Sequence, residues 1–434
     1  MSTLTIPNPI STFVPSVFLD APPWDHAGLP GWFAASQLSA WKSFIGLAMP
    51  GRKDENWRFA NVAGLQFDTF KRGAAASVPD FTGLEKVAAR VVTRNDGVVS
   101  QQASAISGLE VLTLREALAK YPAELERHLA TPDTGLGGTK FAALHQAQLR
   151  DAVVVKVSEK TEVADPVEIV HWLSGENASA FPRTIILAGT RSKVTVVEHH
   201  LSAGGDAGLN CGAAQIFTER GAQVSYVHLN RLNAASKSLH FSTLRCEREA
   251  AVRYAQFNLG GGYVRSEALS QVAGEGSRSD MLSVSLASAD QEIDQRTRQD
   301  HLSPRGFSDL LYKNVLFNRG KTIFAGLIRV DQGAQFTDAY QKCRNLLLSD
   351  DCEANSMPGL EINADQVKCS HGSTSGRLNE EEVFYFQARG IQRQAAEHMI
   401  SLGFTQEVVS RIGQDAVEAL VFSAIEARFA ELKG

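Results

Sequence analysis

From about residue 151 the chain breaks into short runs of Val, Ile, Thr and Tyr in which apolar and polar side chains alternate, with Gly, Ser and charged pairs between them. A period of two is what a strand with one buried face requires. Three runs resemble one another: residues 192–198 (SKVTVVE), 222–228 (AQVSYVH) and 250–256 (AAVRYAQ), whose starts lie 30 and then 28 residues apart. In each, a polar turn comes first and two apolar residues share a face: Val194 with Val196, Val224 with Tyr226, Val252 with Tyr254. A repeat of that length in strand texture predicts a solenoid, with a parallel β-helix as the simplest form, because one coil cannot bury its apolar face without the next. The same spacing would also arise in an antiparallel sandwich, and the later stretch 279–283 (SDMLS) matches the repeat poorly.

The flanks read differently. Residues 34–48 (AASQLSAWKSFIGLA) and 112–128 (LTLREALAKYPAELERH) space apolar side chains at helical intervals, so residues 1–145 are expected to form a mostly helical domain. Its opening is irregular, carrying Pro7, Pro9, Pro15, Pro22, Pro23 and Pro30. Between the two helices, residues 54–59 (DENWRF) predict a surface helix that turns Trp57 and Phe59 inward. Strand texture runs through residues 146–375 and stops after Gly376, leaving residues 376–434 as a C-terminal helical domain. There Asn379 with Glu382 reads as an N-cap with its capping-box partner, Gly390 as a helix end, and Thr405 and Gly413 as the brackets of a short helix. Val417, Leu420, Val421, Ala424, Ile425, Phe429 and Leu432 then line one side of a terminal helix. That stripe either packs on its own domain or offers a docking face.

Composition narrows the function. The chain has 434 residues, a net charge of -5 and dispersed Lys and Arg, so it lacks the basic footprint of a nucleic-acid binder. The first basic residue is Lys42, and no apolar run approaches the roughly 20 residues a membrane span needs, so a cytoplasmic protein without a leader is expected. Cys211, Cys246, Cys343, Cys352 and Cys369 are odd in number and scattered, which speaks against a disulfide framework. The first four read as small buried hydrophobes.

Cys369 is different, because residues 367–374 (VKCSHGST) place His371 two positions away. On a strand the two side chains share a face, and a thiolate with a neutral imidazole is a ligand pair for iron, zinc or a nascent iron–sulfur cluster. Lys368 beside the thiol is expected to favour the thiolate. One thiol and one imidazole are an incomplete site, so further ligands must come from elsewhere in the chain or from a second protein. Other motifs carry less. Gly320-Lys-Thr322 has Val315 where a phosphate-binding loop needs Gly, residues 260–262 (GGG) read as a turn, and His199 and His200, adjacent on a strand, point to opposite faces. Nucleotide hydrolysis and bound nicotinamide or flavin are therefore not expected.

Residues 359–374 (GLEINADQVKCSHGST), followed by 378–385 (LNEEEVFY) and 388–391 (ARGI), resemble the C-terminal signature of the SufB/SufD family, scaffold components of the SUF iron–sulfur cluster assembly machinery. Residues 321–330 (KTIFAGLIRV), 345–348 (NLLL) and 55–59 (ENWRF) are similar to that family as well. Cys-Ser-His-Gly looks like the SufD branch, since the SufB branch typically shows Cys-Glu-His-Glu and carries further cysteines; Asn363 and Gln366 depart from the Tyr and Asp common in SufD sequences. The resemblance implies a mainly β chain with α, in which a right-handed parallel β-helix is flanked by N-terminal and C-terminal helical domains. It implies a non-enzymatic scaffold that pairs with a SufB-like paralogue through the β-helix and binds the SufC ABC-type ATPase on its C-terminal helices. A like-with-like dimer in the absence of SufB stays open. Cys369 and His371 would then sit at the SufB interface and share a transient iron–sulfur cluster, with no permanent cofactor. Phe384, Tyr385, Arg389, Val417, Val421 and Ile425 would belong to the helices that dock SufC. The alternatives are the SufB-type subunit of the same machinery, or a polysaccharide-acting β-helix enzyme, for which the chain shows no clear paired-carboxylate motif.

Overall fold

The computed structural model describes residue 22 and residues 24–432 other than 52, 66, 68 and 74–77. Pro7, Pro9, Pro15 and Pro23 of the opening lie outside these.

From Arg183–Ala188 onward successive strands are dealt alternately into two sheets. One sheet holds Gly208–Thr218, Lys237–Cys246, Tyr263–Val272, Glu292–His301, Lys321–Val330 and Glu353–Ile362 in spatial order; the other holds Lys193–Ser202, Gln223–Arg231, Ala251–Asn258, Arg278–Ala287, Phe307–Leu316, Asp338–Leu347 and Lys368–Arg377. Each pairs in parallel with the strand two later in the chain, giving a parallel β-solenoid of about eight turns. The repeat read from the sequence is the coil itself: Val194 stacks on Val224 and Val252, and Val196 on Tyr226 and Tyr254. The poorly matching stretch continues the same columns, with Ser279 under Val252 and Met281 under Tyr254. A hydroxyl is tolerated there because Ser279 accepts a 2.7 Å hydrogen bond from Ser270 across the interior.

The inner faces of both sheets meet in one apolar core containing Val194, Val196, Ile216, Tyr226, Leu244, Tyr254, Met281 and Tyr312. Beside it runs a polar column in which Asn230, Asn258, Ser285, Asn314, Asn345 and Ser375 stack in register. Its members satisfy one another, as in the 2.8 Å bond from Asn314 Nδ2 to Asn345 Oδ1 and the 3.0 Å bond from Asn345 Nδ2 to Ser375 Oγ.

The outer faces are covered by the flanks. Phe44, Trp57, Phe67 and Phe141 pack on Cys211, Leu239, Phe241 and Tyr263 of one sheet. Trp57 is held by Arg265, whose buried guanidinium lies 3.7 Å over its ring and pairs with Glu267 and Asp294. On the other sheet, Val197, Leu229, Phe257, Leu282 and Val284 are covered by the helices Arg393–Val409 and Asp415–Glu431.

Several local expectations change. The N-terminal stretch, expected to be mostly helical, also contributes strands Ala89–Arg94, Gly97–Ala103 and Leu109–Thr113 to the two sheets. The single helix expected over 112–128 is instead the end of a strand and two helices, Leu114–Lys120 and Pro122–His128, because Pro122 disfavours a helical Tyr121 and starts a new helix at its first position. At 54–59 only Glu55–Trp57 is helical, as a 3₁₀ turn. Trp57 is buried, but Phe59 takes a positive φ of 68° and faces solvent. Asn379 does cap the helix Glu380–Gln387, through Glu381 N at 2.9 Å. Thr405 brackets nothing: it is buried within Arg393–Val409, its hydroxyl bonded to the Leu402 carbonyl at 2.8 Å. The glycines 260–262 form a turn, since a Cβ on Gly260 would come within 2.1 Å of the Leu232 carbonyl oxygen.

Candidate site on the last coil

The site lies on Lys368–Arg377, the final strand of its sheet. In register, Cys369 stacks on Ala339 and His371 on Gln341, both fully buried on the inner face of the preceding coil. Cys369 and His371 thus occupy the columns that line the interior, at the coil where those columns end. With no further coil above them, His371 is exposed and Cys369 is half-buried against the cluster of Ile328, Val330, Ala334, Ala339 and Ala364. The strand beside them in the other sheet, Glu353–Ile362, is likewise the last of its sheet. Parallel edges of ten residues each are therefore left unpaired at this end among the described residues.

The expectation that Lys368 favours the thiolate is not met. Alternation puts Lys368 on the opposite face of the strand. Burial pushes the Cys369 thiol up, and the Asp338 carboxylate adds to the effect. A metal arriving here must displace a proton from sulfur. Cys343, one coil inward, is more protected still: burial raises its thiol to about 12, and the Ser356 hydroxyl donates to its Sγ at 3.8 Å. Cys211 and Cys246 are buried as expected, while Cys352 is only half-buried in a turn, 3.0 Å from the Ser349 carbonyl oxygen.

The residues expected to dock an ATPase divide into two sets. Phe384 is 69% exposed and Tyr385 54% exposed on Glu380–Gln387, and the Arg389 guanidinium stacks 3.5 Å over the Tyr385 ring. Val417, Val421 and Ile425 are fully buried against the chain's own solenoid. Of the two outcomes open for the terminal apolar stripe, it packs on its own sheet; an exposed aromatic surface remains on Glu380–Gln387.

The sequence reading of His199 and His200 held for their faces and stopped short of their partners. His199 faces outward, 3.2 Å from Glu168. His200 faces the interior, where His171, His228 and His240 from neighbouring coils surround it. Part of the signal was available, since His171 and His200 lie one coil apart in register, whereas His228 stacks on Glu198.

Comparison with known proteins agrees with this architecture. The family described as "SUF system FeS cluster assembly, SufBD core domain" matches residues 171–404. The chain is 27% identical over 391 residues to the iron–sulfur cluster assembly protein SufD of Escherichia coli, covering 88% of this chain and 89% of that protein. It is 23% identical over 414 residues to SufD of Bacillus subtilis, covering 92% and 94%. A SufBD family protein of Mycobacterium tuberculosis is 28% identical over 333 residues, covering 74% and 82%. With the matched segment spanning the solenoid from Trp172's strand through the last coil and into the C-terminal helices, the chain belongs to the SufB/SufD family of the SUF iron–sulfur cluster assembly system.

Proposed function

We propose that this chain is the SufD-type scaffold subunit, which pairs with a SufB-like paralogue through its last coil and helps hold an iron–sulfur cluster while it forms. The observation that carries this reading is the pair of uncapped edge strands, Glu353–Ile362 and Lys368–Arg377, with Cys369 and His371 on the rim between them and the interior. An unpaired parallel edge is a template for another chain's strand. A second solenoid docked there would bring its own side chains to Cys369 and His371 and complete the ligand set.

The chemistry suits temporary custody. A resident cluster is usually held by four thiolates. One thiol that must lose a proton to bind, plus one exposed imidazole, holds its half of a cluster weakly and releases it when the two chains shift. Such a shift needs an energy source, and Phe384, Tyr385 and Arg389 offer an exposed aromatic and cationic surface for a SufC-type ATPase beside the last coil.

Co-expression with a SufB-like paralogue and a SufC-type ATPase should yield a stable complex on size-exclusion chromatography, with two ATPase copies per pair of scaffolds. A chain that elutes alone with both present overturns the reading. Anaerobic reconstitution of the complex carrying His371→Ala should give a lower cluster yield with an unchanged melting temperature.

A further inference from the structure

A second group of ligand-type side chains lies inside the solenoid, five strands along the sheet from the last coil. His171, Glu198, His200 and His228 come from one sheet, and His240 faces them from the other. One ligand atom from each of His200, His228 and His240 lies within 4.8 Å of the other two, and the same holds for His171, Glu198 and His200. The His228 and His240 rings stack with centroids 4.1 Å apart, and His200 stands edge-on to them at 4.6 and 5.4 Å. Gly212 makes room for this, since a Cβ there would come within 3.0 Å of both His200 Cε1 and His240 Nδ1.

Hydrogen bonding alone does not account for the arrangement. Among the described residues, neither ring nitrogen of His240 meets a hydrogen-bond partner, nor does His228 Nε2, although all are buried. Each such orphan costs on the order of 1–3 kcal/mol, and three together are rare in a native interior. Glu198 is fully buried, and among the described residues no lysine or arginine pairs with it; its neighbours are His200 Nε2 at 2.7 Å, His171 Nε2 at 3.4 Å and the Tyr226 hydroxyl, which donates at 2.9 Å.

His200 has the outer contact that orients a metal-binding imidazole, and His171, beside the Glu198 carboxylate, is oriented in the same way. Thr93 Oγ1 lies 2.7 Å from His171 Nδ1, and the Asn210 amide 2.7 Å from His200 Nδ1. Turning that amide over sets Oδ1 against Nδ1–H and releases the Nε2 lone pair of His200 inward.

We infer that this cluster is a closed tetrahedral site for one zinc-class divalent ion, with His200, His228 and His240 as nitrogen ligands and Glu198 as the oxygen ligand. His171 holds the carboxylate in place. Zinc–nitrogen bonds of about 2.0–2.1 Å set tetrahedral nitrogens roughly 3.3 Å apart, so the three imidazoles, within 4.8 Å of one another, have only to close by up to about 1.5 Å through ring rotation, and the Glu198 carboxylate swings in from beside His200 Nε2 as the fourth ligand. The site is independent of Cys369 and His371 and contains no sulfur.

The full chain expressed in zinc- and iron-supplemented medium, then held in a chelator, tests this. Elemental analysis should find about one chelator-resistant zinc per chain, and X-ray absorption should show a shell of nitrogen and oxygen with no sulfur. The double variant His228→Gln, His240→Gln should lose that zinc. His371→Ala, on the last coil, and His301→Gln, a buried imidazole elsewhere in the interior, should keep it. Absence of chelator-resistant zinc, a sulfur ligand, or retention by the double variant overturns the assignment. Should the double variant fail to fold, wild-type stoichiometry and the scattering shell decide.

Discussion

At its N-terminal end the solenoid finishes in antiparallel strands: Gly97–Ala103 folds back on Ala89–Arg94, and Leu109–Thr113 runs against Val153–Val157. At its C-terminal end both sheets stop on full ten-residue parallel strands with nothing beyond them among the described residues. The first end closes on short reversed strands, of seven and five residues, the longer turned back through a tight hairpin at Asn95 and Asp96, both at positive φ. The second keeps its edges and puts Cys369 and His371 on them. Edge strands left open in a folded chain favour aggregation unless a partner covers them, so the proposed pairing belongs at this second end.

If the closed end serves the stability of the chain, damage there should show in the isolated protein. Glu168 is fully buried and paired with Arg90 on the capping strand at 2.6 Å. Arg90→Ala leaves that carboxylate without its cation and should cost about 3 kcal/mol in urea unfolding; a loss under 1 kcal/mol would remove the distinction between the ends. The acid side offers a second handle nearer the open end. Burial lowers the His301 imidazole to about 4 from its usual 6.5, so the unfolded chain takes up its proton first. Its contribution is present above pH 6.5 and lost as pH falls toward 4, up to about 3 kcal/mol. His301→Gln should flatten the stability profile across that window.

The open end should respond in the opposite manner. A Cβ at Gly372 meets nothing within 4 Å, so Gly372→Lys should leave unfolding unchanged while weakening the complex with a SufB-like partner at least tenfold, about 1.4 kcal/mol. Val99→Lys, an equally exposed change on the closed end, should leave binding intact. The smallest effect belongs to Cys369→Ser, expected within about 0.5 kcal/mol in the isolated chain because the residue is only half-buried. Its consequence should appear in cluster yield.

The sequence disclosed most where neighbours in space are one coil apart. Val194, Val224 and Val252 announce their stacking by spacing, and Cys369 and His371 their shared face by alternation. It disclosed least where partners cross between sheets or come from distant segments. Trp57 is claimed by Arg265, more than two hundred residues later, while Phe59, at positive φ, turns outward. Ala89–Arg94 and Leu109–Thr113 gain distant partners in Val167–Leu173 and Val153–Val157, and His240 meets His228 only because two sheets face each other. The upward push on the Cys369 thiol likewise comes from burial and from Asp338, one coil back, and not from its neighbour Lys368.

The in-register stacking of the polar column has a metric consequence. Parallel strands lie about 4.8 Å apart, so about eight turns set the two ends roughly 38 Å from each other. The solenoid is thus a ruler graduated in coils. Removing one whole coil, 27 residues from Val252 to Ser279 or 31 from Ser308 to Ala339, would shorten it by a single graduation and leave every column aligned; removing one residue from a strand would turn that strand's interior side chains out to the flanks.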